Sequence, residues 1–284
     1  LISKLNSETD ELKLEGYIQL YHEAGVNFNE LLEDENGFKQ TAFHVAASKC
    51  MLSALKKMHS LHPVDQNVIN TKGLSAMFVI DEYEVNSEEK IAKARETIKF
   101  FIQETDYTID SLTANKETSL MIAIGNNRTQ MAKLFLELGA SSNSQVTPFV
   151  NSPLSYAVEK RNLVMVEALL KAGADPLAIN SNNVSAFHMA AGLGYVDVMR
   201  CFILHAEIDL KATTGIEADP RYVSKCTALH FAVARNHCEM VYLLLIELKV
   251  DDIPDGNGDH AFSYAKKGSE IEKIFESLQT KRVN

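Results

Sequence analysis

Cys226 and His230 are the residues of this sequence whose types and spacing come nearest to a catalytic pair. They lie one helical turn apart, and Cys226 directly precedes a predicted helix start, where a thiolate is favoured. A Cys/His nucleophile also needs a group that orients the histidine and donors that stabilise an oxyanion. No orienting group is evident near the pair, so we predict no catalytic residue in this chain.

Two other groups of residues have metal-ligating types but lack the spacing of a metal site. His230, His237 and Cys238 have no second Cys/His pair to complete a zinc site. The segment 255–266 begins like a calcium loop, but His stands in the place of the required Gly and Lys in the place of the bidentate Glu. No glycine-rich phosphate-binding motif occurs either. We therefore predict no metal, no cofactor and no enzymatic activity.

Composition and charge narrow the classes of partner. The 284 residues carry 28 Lys and Arg against 38 Asp and Glu, a net charge of −10, which argues against nucleic acid because phosphate binding needs clustered cations. The apolar run Val241–Ile246 is far shorter than the roughly 20 residues that span a bilayer, so no membrane insertion is predicted. Four cysteines without C-x-x-C pairing are typical of reduced thiols. These features predict a cytoplasmic, monomeric protein.

One heptapeptide recurs seven times along the chain, and this repeat is the dominant signal. The copies follow one another at spacings of 34, 43, 34, 33, 42 and 33 residues. A repeat of this length is typical of proteins that stack small helical units. The copies begin at Thr41, Ser75, Thr118, Ser152, Ser185, Thr227 and His260.

Each place in the heptapeptide has a physical interpretation. Ser or Thr opens six copies, and its hydroxyl favours a helix start. The third place is always large and apolar, and the sixth is Ala in six copies, which favours close approach of neighbouring helices. A second apolar stretch with helical period follows each copy, and Gly139 and Gly173 stand where two such helices would end in a left-handed cap.

This pattern resembles the ankyrin repeat, whose unit of about 33 residues carries T-P-L-H-x-A and ends in G-A-D. The clearest match is Ser152–Asp175, and the resemblance covers nearly the whole chain. It implies an all-α ankyrin-repeat solenoid of about seven repeats plus a partial N-terminal unit, in a single domain over residues 1–284. The expected divisions are 1–34 as a partial or capping unit, repeats at 35–69, 70–112, 113–146, 147–179, 180–221 and 222–254, and a C-terminal capping repeat at 255–284.

Two insertions lengthen the regular spacing. The first lies near Asp81–Glu89, where we expect Asn86 to cap a longer helix, with Glu89 as its capping-box partner. The charged residues that follow are interpreted as a solvated face, with docking of a partner as the alternative. The second, at 212–223, is a long turn that is either functional or mobile.

The resemblance also implies where a partner binds, because members of the family bind proteins on the concave face formed by first helices and turns. Apolar residues there would be flanked by basic ones, which favours an acidic and apolar partner; packing within the array is the alternative role of the apolar residues. The histidine shared by His44, His188 and His230 is implied to bridge neighbouring units by hydrogen bonds. The predicted protein-binding residues are Tyr156, Lys160, Arg161, Met189, Leu193, Phe231, Arg235, Asn182, Asn183, Tyr222 and Lys225.

These observations predict a non-enzymatic scaffold for protein–protein interaction. The irregularity of the repeats resembles that of effectors which intracellular bacteria deliver into host cells, and such a role would place the chain in the host cytoplasm. A eukaryotic signalling or cytoskeletal adaptor is the alternative origin. The alternative function is the targeting region of a larger enzyme whose catalytic domain lies outside this chain.

Overall fold

The computed structural model describes residues 1–7, 11–33, 37–144, 151–180, 183–214 and 224–283. The chain divides into two compact units, Leu1–Ala140 and Ser141–Asn284. Both units are helical, in agreement with the predicted all-α class.

The first unit contains two rows of helices. One row consists of α1, α3, a 3₁₀ segment and α6, and the other of α2, α4, α5 and α7, each packed on the next. Helix α1 takes the first-helix place of the N-terminal repeat, although the sequence there shows no recognisable motif. The elements are α1 (Ile2–Ser7), α2 (Glu11–Glu23), β1 (Leu32–Glu33), β2 (Lys39–Gln40), α3 (Ala42–Ser48), α4 (Leu52–Leu61), the 3₁₀ segment Phe78–Glu82, α5 (Glu88–Glu104), α6 (Ser119–Gly125) and α7 (Thr129–Glu137). Strands β1 and β2 pair antiparallel, with Leu32 opposite Gln40.

The second unit repeats the same helix-turn-helix arrangement. Its first helices α8, α10 and α12 pack side by side, and each also packs on the second helix of its own repeat. Helix α9 packs on α11, and α13 on α14. The elements are α8 (Pro153–Glu159), α9 (Leu163–Lys171), α10 (Ala186–Leu193), α11 (Val196–His205), α12 (Ala228–Ala234), α13 (Cys238–Tyr242) with a π-helical continuation Leu243–Glu247, the 3₁₀ segment Ala261–Tyr264 and α14 (Glu270–Val283).

The heptapeptide forms an α-helix in five of its seven copies. In α3, α6, α8 and α10 the first Ser or Thr accepts a hydrogen bond from a backbone N–H of the first turn, as predicted. The copies at 75–81 and 260–266 form short 3₁₀ segments instead, so the prediction of an α-helix is wrong there. In the second copy the carbonyl of Asp81, which would accept the next α-helical bond, accepts from the Arg128 guanidinium.

The helix of the first insertion begins at Ser87, so the predicted cap at Asn86 is wrong. Ser87 is extended (φ −147°, ψ 159°), and its side chain accepts from the backbone N–H of Lys90 at 3.3 Å. Its carbonyl accepts the first helical bond, from the N–H of Ile91 at 2.9 Å. The Ser87 hydroxyl, one residue after the predicted cap, therefore accepts from a backbone N–H of the first helical turn. Helix α5 runs for 17 residues to Glu104.

Left-handed backbone recurs at fixed places in the repeat. Gly139 and Gly173 end their helices with φ of 93° and 81°, which confirms the two predicted caps. A left-handed residue also stands two places before the heptapeptide in every repeat whose turn is described from 70 onwards. These residues are Gly73, Lys116, Asn183, Lys225 and Gly258.

We expect Lys116→Gly to stabilise the protein. A left-handed conformation costs a residue with a Cβ about 1–2 kcal/mol, whereas Gly loses about 0.5–1 kcal/mol more backbone entropy on folding. The free energy of unfolding in urea should therefore rise by about 0.5–1 kcal/mol. Asn183→Gly is the matched control with a smaller expected gain, since Asn tolerates this conformation. A loss of stability in Lys116→Gly would contradict the explanation.

Candidate protein-binding surface

The sixth place of the heptapeptide is buried between stacked helices in the second unit. Ala157, Ala190 and Ala232 stand at this place in α8, α10 and α12, and each is fully buried. Helix α10 packs directly on both α8 and α12. A methyl side chain permits this close approach, and it fixes equivalent residues of the three helices in one row.

The fifth place of the heptapeptide forms a row of half-buried apolar side chains, Tyr156, Met189 and Phe231. Phe231 packs on the preceding repeat: its ring centroid lies 5.8 Å from that of His188. A Cβ added at Gly192 would lie 3.4 Å from Cδ1 of Phe231. Phe231 therefore also has the packing role that the sequence left as an alternative, while part of its surface stays accessible.

Basic residues follow this row at the helix ends. Lys160 and Arg235 are the C-cap residues of α8 and α12, and both are exposed. Arg161 is exposed in a left-handed conformation (φ 49°). Its guanidinium lies 3.2 Å from the Asp197 carboxylate and 4.9 Å from the ring centroid of Tyr195, so neighbouring side chains restrain its position.

Leu193 adds an exposed apolar side chain at the end of α10, with 39% of its surface accessible. Of the predicted turn residues, Lys225 is exposed and Asn183 is half-buried. The predicted binding residues Asn182 and Tyr222 lie outside the described residues, as does most of the second insertion. We call the set Tyr156, Lys160, Arg161, Met189, Leu193, Phe231 and Arg235 the first-helix face.

The repeated histidines connect each helix start to the turn of the next repeat. His188 Nε2 lies 3.0 Å from the carbonyl oxygen of Ala212, and its Nδ1 lies 2.8 Å from Ser185 Oγ. His44 makes the same pair of contacts with Leu74 and Thr41. A carbonyl can only accept, so Nε2 carries the proton and Nδ1 accepts from the hydroxyl.

Burial is the main cause that lowers the pKa of His44 and of His188, and it outweighs the carbonyls that raise it. Both imidazoles are therefore held neutral. These contacts are those of the structural bridges that the resemblance implies. His230 makes the equivalent contacts, with Asp259 O at 3.1 Å and Thr227 Oγ1 at 2.8 Å.

The Cys226 thiol is poorly suited to act as a nucleophile. Burial is the larger cause, and the Asp255 carboxylate the smaller, that together raise the pKa of Cys226 to about 11. The expected stabilisation of a thiolate before a helix is therefore wrong at this position. The imidazole of His230 is engaged by the Thr227 hydroxyl and the Asp259 carbonyl rather than aligned on the sulfur.

The described ranges contain neither a metal-binding cluster nor a membrane-spanning helix. Within them, no three His, Cys, Asp or Glu side chains are grouped closely enough to hold a metal ion. None of the helices in the same ranges combines the length and the hydropathy that crossing a bilayer requires.

The sequence interpretation missed the environment of Asp81. Its side chain is only 2% exposed, although it lies at the edge of the first insertion. The signal was visible, because the seventh place of the heptapeptide holds Ala, Ile or Val in five copies and an acid only here. The Asp81 carboxylate connects two repeats, since Oδ2 accepts from the Asn126 side-chain amide at 2.8 Å and lies 3.4 Å from Nε of Arg128.

Comparison with protein families identifies repeats in two parts of the chain. Residues 90–180 match the model described as ankyrin repeats (3 copies), and residues 224–255 match the model of a single ankyrin repeat.

Similar curated proteins are much longer than this chain. It is 28% identical over 167 residues to an E3 ubiquitin-protein ligase, KEG, of Arabidopsis thaliana, covering 54% of this chain and 10% of the ligase. It is 33% identical over 101 residues to the B-cell lymphoma 3 protein homolog of Mus musculus, covering 35% of this chain and 22% of that homolog. It is 24% identical over 190 residues to the putative palmitoyltransferase ZDHHC13 of Danio rerio, covering 58% of this chain and 30% of the palmitoyltransferase. The chain thus spans less than a third of these relatives.

Two solved structures share the fold at low sequence identity. The human ASB11 ankyrin repeat domain has a TM-score of 0.57 at 19% identity, with 82% of this chain and 96% of that domain covered. The ankyrin repeat domain of Bcl-3 has a TM-score of 0.59 at 18% identity, with 82% and 93% covered. At such identities the similarity concerns the architecture alone.

Proposed function

Because this chain is an ankyrin-repeat protein, and ankyrin repeats are modules for protein–protein interaction, we propose that it binds a protein partner through the first-helix face. The observation that supports the proposal is the row of half-buried Tyr156, Met189 and Phe231 beside exposed cations. Aromatic residues and arginine are enriched among the residues that dominate binding energy. The partner segment would be apolar with acidic side chains.

Charge and packing suit this face to binding rather than catalysis. Lys160 and Arg235 are exposed at the ends of α8 and α12, the two helices that flank α10, where they would attract an acidic segment and orient it. Arg161 is already held by Asp197 and Tyr195, so ordering it on binding would cost little entropy. Lys225 and Asn183 in the turns would extend the contact.

We expect a triple variant, Tyr156→Ala with Leu193→Glu and Arg235→Glu, to lose partner binding at least tenfold. The substitutions remove an aromatic anchor and reverse the charge, and they spare Phe231, which packs on Gly192. The measurement is quantitative capture of proteins from cell lysate by the variant and by the wild-type chain. Proteins that bind this face should be depleted with the variant.

The second helices provide a control matched in residue type. Tyr242→Ala with Leu204→Glu and Arg200→Glu changes three exposed residues of α13 and α11. It should capture the same proteins as the wild type, provided that thermal melts show both variants folded. Identical capture by all three chains would exclude the first-helix face as the binding site.

A second function is favoured by the curated relatives. Two of them are named as a ubiquitin ligase and a palmitoyltransferase, and this chain spans 10% and 30% of their lengths. The repeats would then select substrates for a catalytic domain on the same polypeptide. Sequencing the full transcript tests this, since an encoded catalytic domain supports it and a complete reading frame without one excludes it. The cytoplasmic location and the role as a bacterial effector stay predictions.

A further inference from the structure

The first insertion forms part of a groove in the first compact unit. Helix α5 begins within the insertion and has 17 residues, whereas the second helices α4 and α7 have 10 and 9. The α5 residues that line the groove are Glu89, Ala92, Lys93 and Glu96. They recur at intervals of three and four, so they lie on one face of the helix. This face therefore borders a concave surface, which suits docking of a partner better than a merely solvated role.

The groove, which we call the α5 groove, has a volume of 810 Å³. This lies within the range of about 300–1,000 Å³ that is usual for ligand-binding pockets. The apolar side chains that solvent reaches in it are Met51, Leu52 and Tyr83, which are half-buried, and Ala92, which is exposed. The groove thus has room for an apolar group and offers it surface to cover.

The charges that line the α5 groove do not balance. Its two glutamates are already paired on their own helix, Glu89 with Lys93 and Glu96 with Lys99, both at 2.9 Å. Lys56 acts on Glu96 only through a longer-range attraction. The lining segment 49–56, which joins α3 to α4 and begins α4, therefore keeps a positive charge.

Lys49 carries the cation of this segment that lacks a carboxylate. Its Nζ donates to the carbonyl oxygens of Leu5 at 3.2 Å and Asn6 at 3.1 Å, and all three residues line the groove. Among the described residues no carboxylate pairs with it, and burial lowers its pKa. An ammonium has three N–H donors, so one remains for a ligand. A carboxylate in the groove would accept a charge-assisted hydrogen bond and neutralise a half-buried cation.

We propose that the α5 groove binds the C-terminal residue of a protein partner, with its α-carboxylate on the Lys49 ammonium and an apolar side chain against Met51 and Leu52. A C-terminal residue carries the carboxylate and the apolar group on one carbon. The groove places them equally close, because Lys49 stands two and three places before the apolar pair. An internal Asp or Glu uses its side chain for the carboxylate, so the apolar group has to come from another residue. Capture of a chain terminus by N–H donors is a recurring mode of peptide recognition.

Holding the end of α1 is the alternative role of Lys49, because both of its carbonyl acceptors lie in the last turn of that helix. Lys49→Gln separates the two roles, since glutamine keeps side-chain N–H donors for these carbonyls and removes the charge. Ala92→Glu is an independent variant that adds a carboxylate to the groove and leaves Lys49 in place. Ala92 is exposed on a helix, where glutamate is well tolerated. This variant keeps the test decisive if Lys49→Gln loosens α1.

The test is a titration of the chain labelled with ¹³C at its methionine methyl groups, followed by NMR at the Met51 methyl. The probe is N-acetyl-leucine, which reproduces an apolar C-terminal residue and should give a saturable shift with a Kd in the millimolar range. N-acetyl-leucine amide has the same outline without the charge and should bind at least about fivefold more weakly. The same loss is expected for N-acetyl-glutamic acid α-amide, whose carboxylate is on the side chain. Lys49→Gln and Ala92→Glu should each weaken binding of N-acetyl-leucine at least about fivefold.

Lys57→Gln and Gln103→Glu are the matched controls. They make the same two changes at positions of α4 and α5 outside the groove, so the Kd should stay unchanged. Four outcomes would overturn the proposal: no saturable shift at the Met51 methyl, equal affinity for N-acetyl-leucine and its amide, equal affinity for the glutamic acid probe, or variants that bind as tightly as their controls. The first-helix face lies in the other compact unit, so failure of one proposal is distinguishable from failure of the other.

Discussion

Phe187→Ala should lower the free energy of unfolding by about 3–5 kcal/mol, the usual cost of truncating a fully buried phenylalanine. Phe187 fills the third place of its heptapeptide and has no accessible surface. Its ring lies 6.3 Å from that of Phe202 and 5.9 Å from the imidazole of His188. The cavity left by the substitution would adjoin both helices of the repeat, so neither could close it alone.

Urea denaturation followed by circular dichroism measures this loss. Leu204→Ala is the control, because Leu204 is 77% exposed on the same repeat and its truncation should change the stability by no more than about 0.5 kcal/mol. A loss below about 1 kcal/mol in Phe187→Ala would show that the third place is not a core position.

His188→Ala should destabilise the protein by about 2–4 kcal/mol, since it removes a buried side chain and leaves a buried hydroxyl and a half-buried carbonyl without their partner. These groups are the carbonyl of Ala212 at 3.0 Å and the hydroxyl of Ser185 at 2.8 Å. His205→Ala, at the half-buried end of α11, is the control histidine with a smaller expected effect.

The same bridge predicts how stability depends on pH. Because burial lowers the pKa of His188, the unfolded chain takes up a proton before the folded chain does. The stabilisation is complete above the ordinary histidine pKa of about 6.5 and is lost as the pH falls below it. His188→Ala should therefore show a smaller loss of stability between pH 7 and 5 than the wild type. An unchanged pH dependence would contradict the neutral bridge.

The repeat could be predicted from the sequence because its signals are local. Hydroxyl caps such as Thr118 and Ser185, and glycines such as Gly139, act on the backbone within one helical turn. Stacking at 33–34 residues follows from the spacing alone, and the buried alanines agree with it. The places of the apolar and basic residues of the first-helix face follow from the same register.

The predictions from sequence fail where contacts between repeats compete with these local preferences. The copy at 75–81 has the motif, yet a guanidinium 47 residues away takes the Asp81 carbonyl, and the segment forms a 3₁₀ turn. The Cys226 pKa is likewise decided by burial against neighbouring segments rather than by the helix that follows. Neither effect has a signature in the order of nearby residues.

The primary structure determines the helix pairs, their ends and the register of their stacking, because those depend on spacing and on hydrogen bonds between near neighbours. Tertiary packing decides which polar groups are left without water and without a partner, because that depends on the distance between repeats. The carboxylate of Asp81, whose Oδ1 has no hydrogen-bond partner among the described residues, is of the second kind. Its environment could be recognised only when residues from 81 to 128 were seen together.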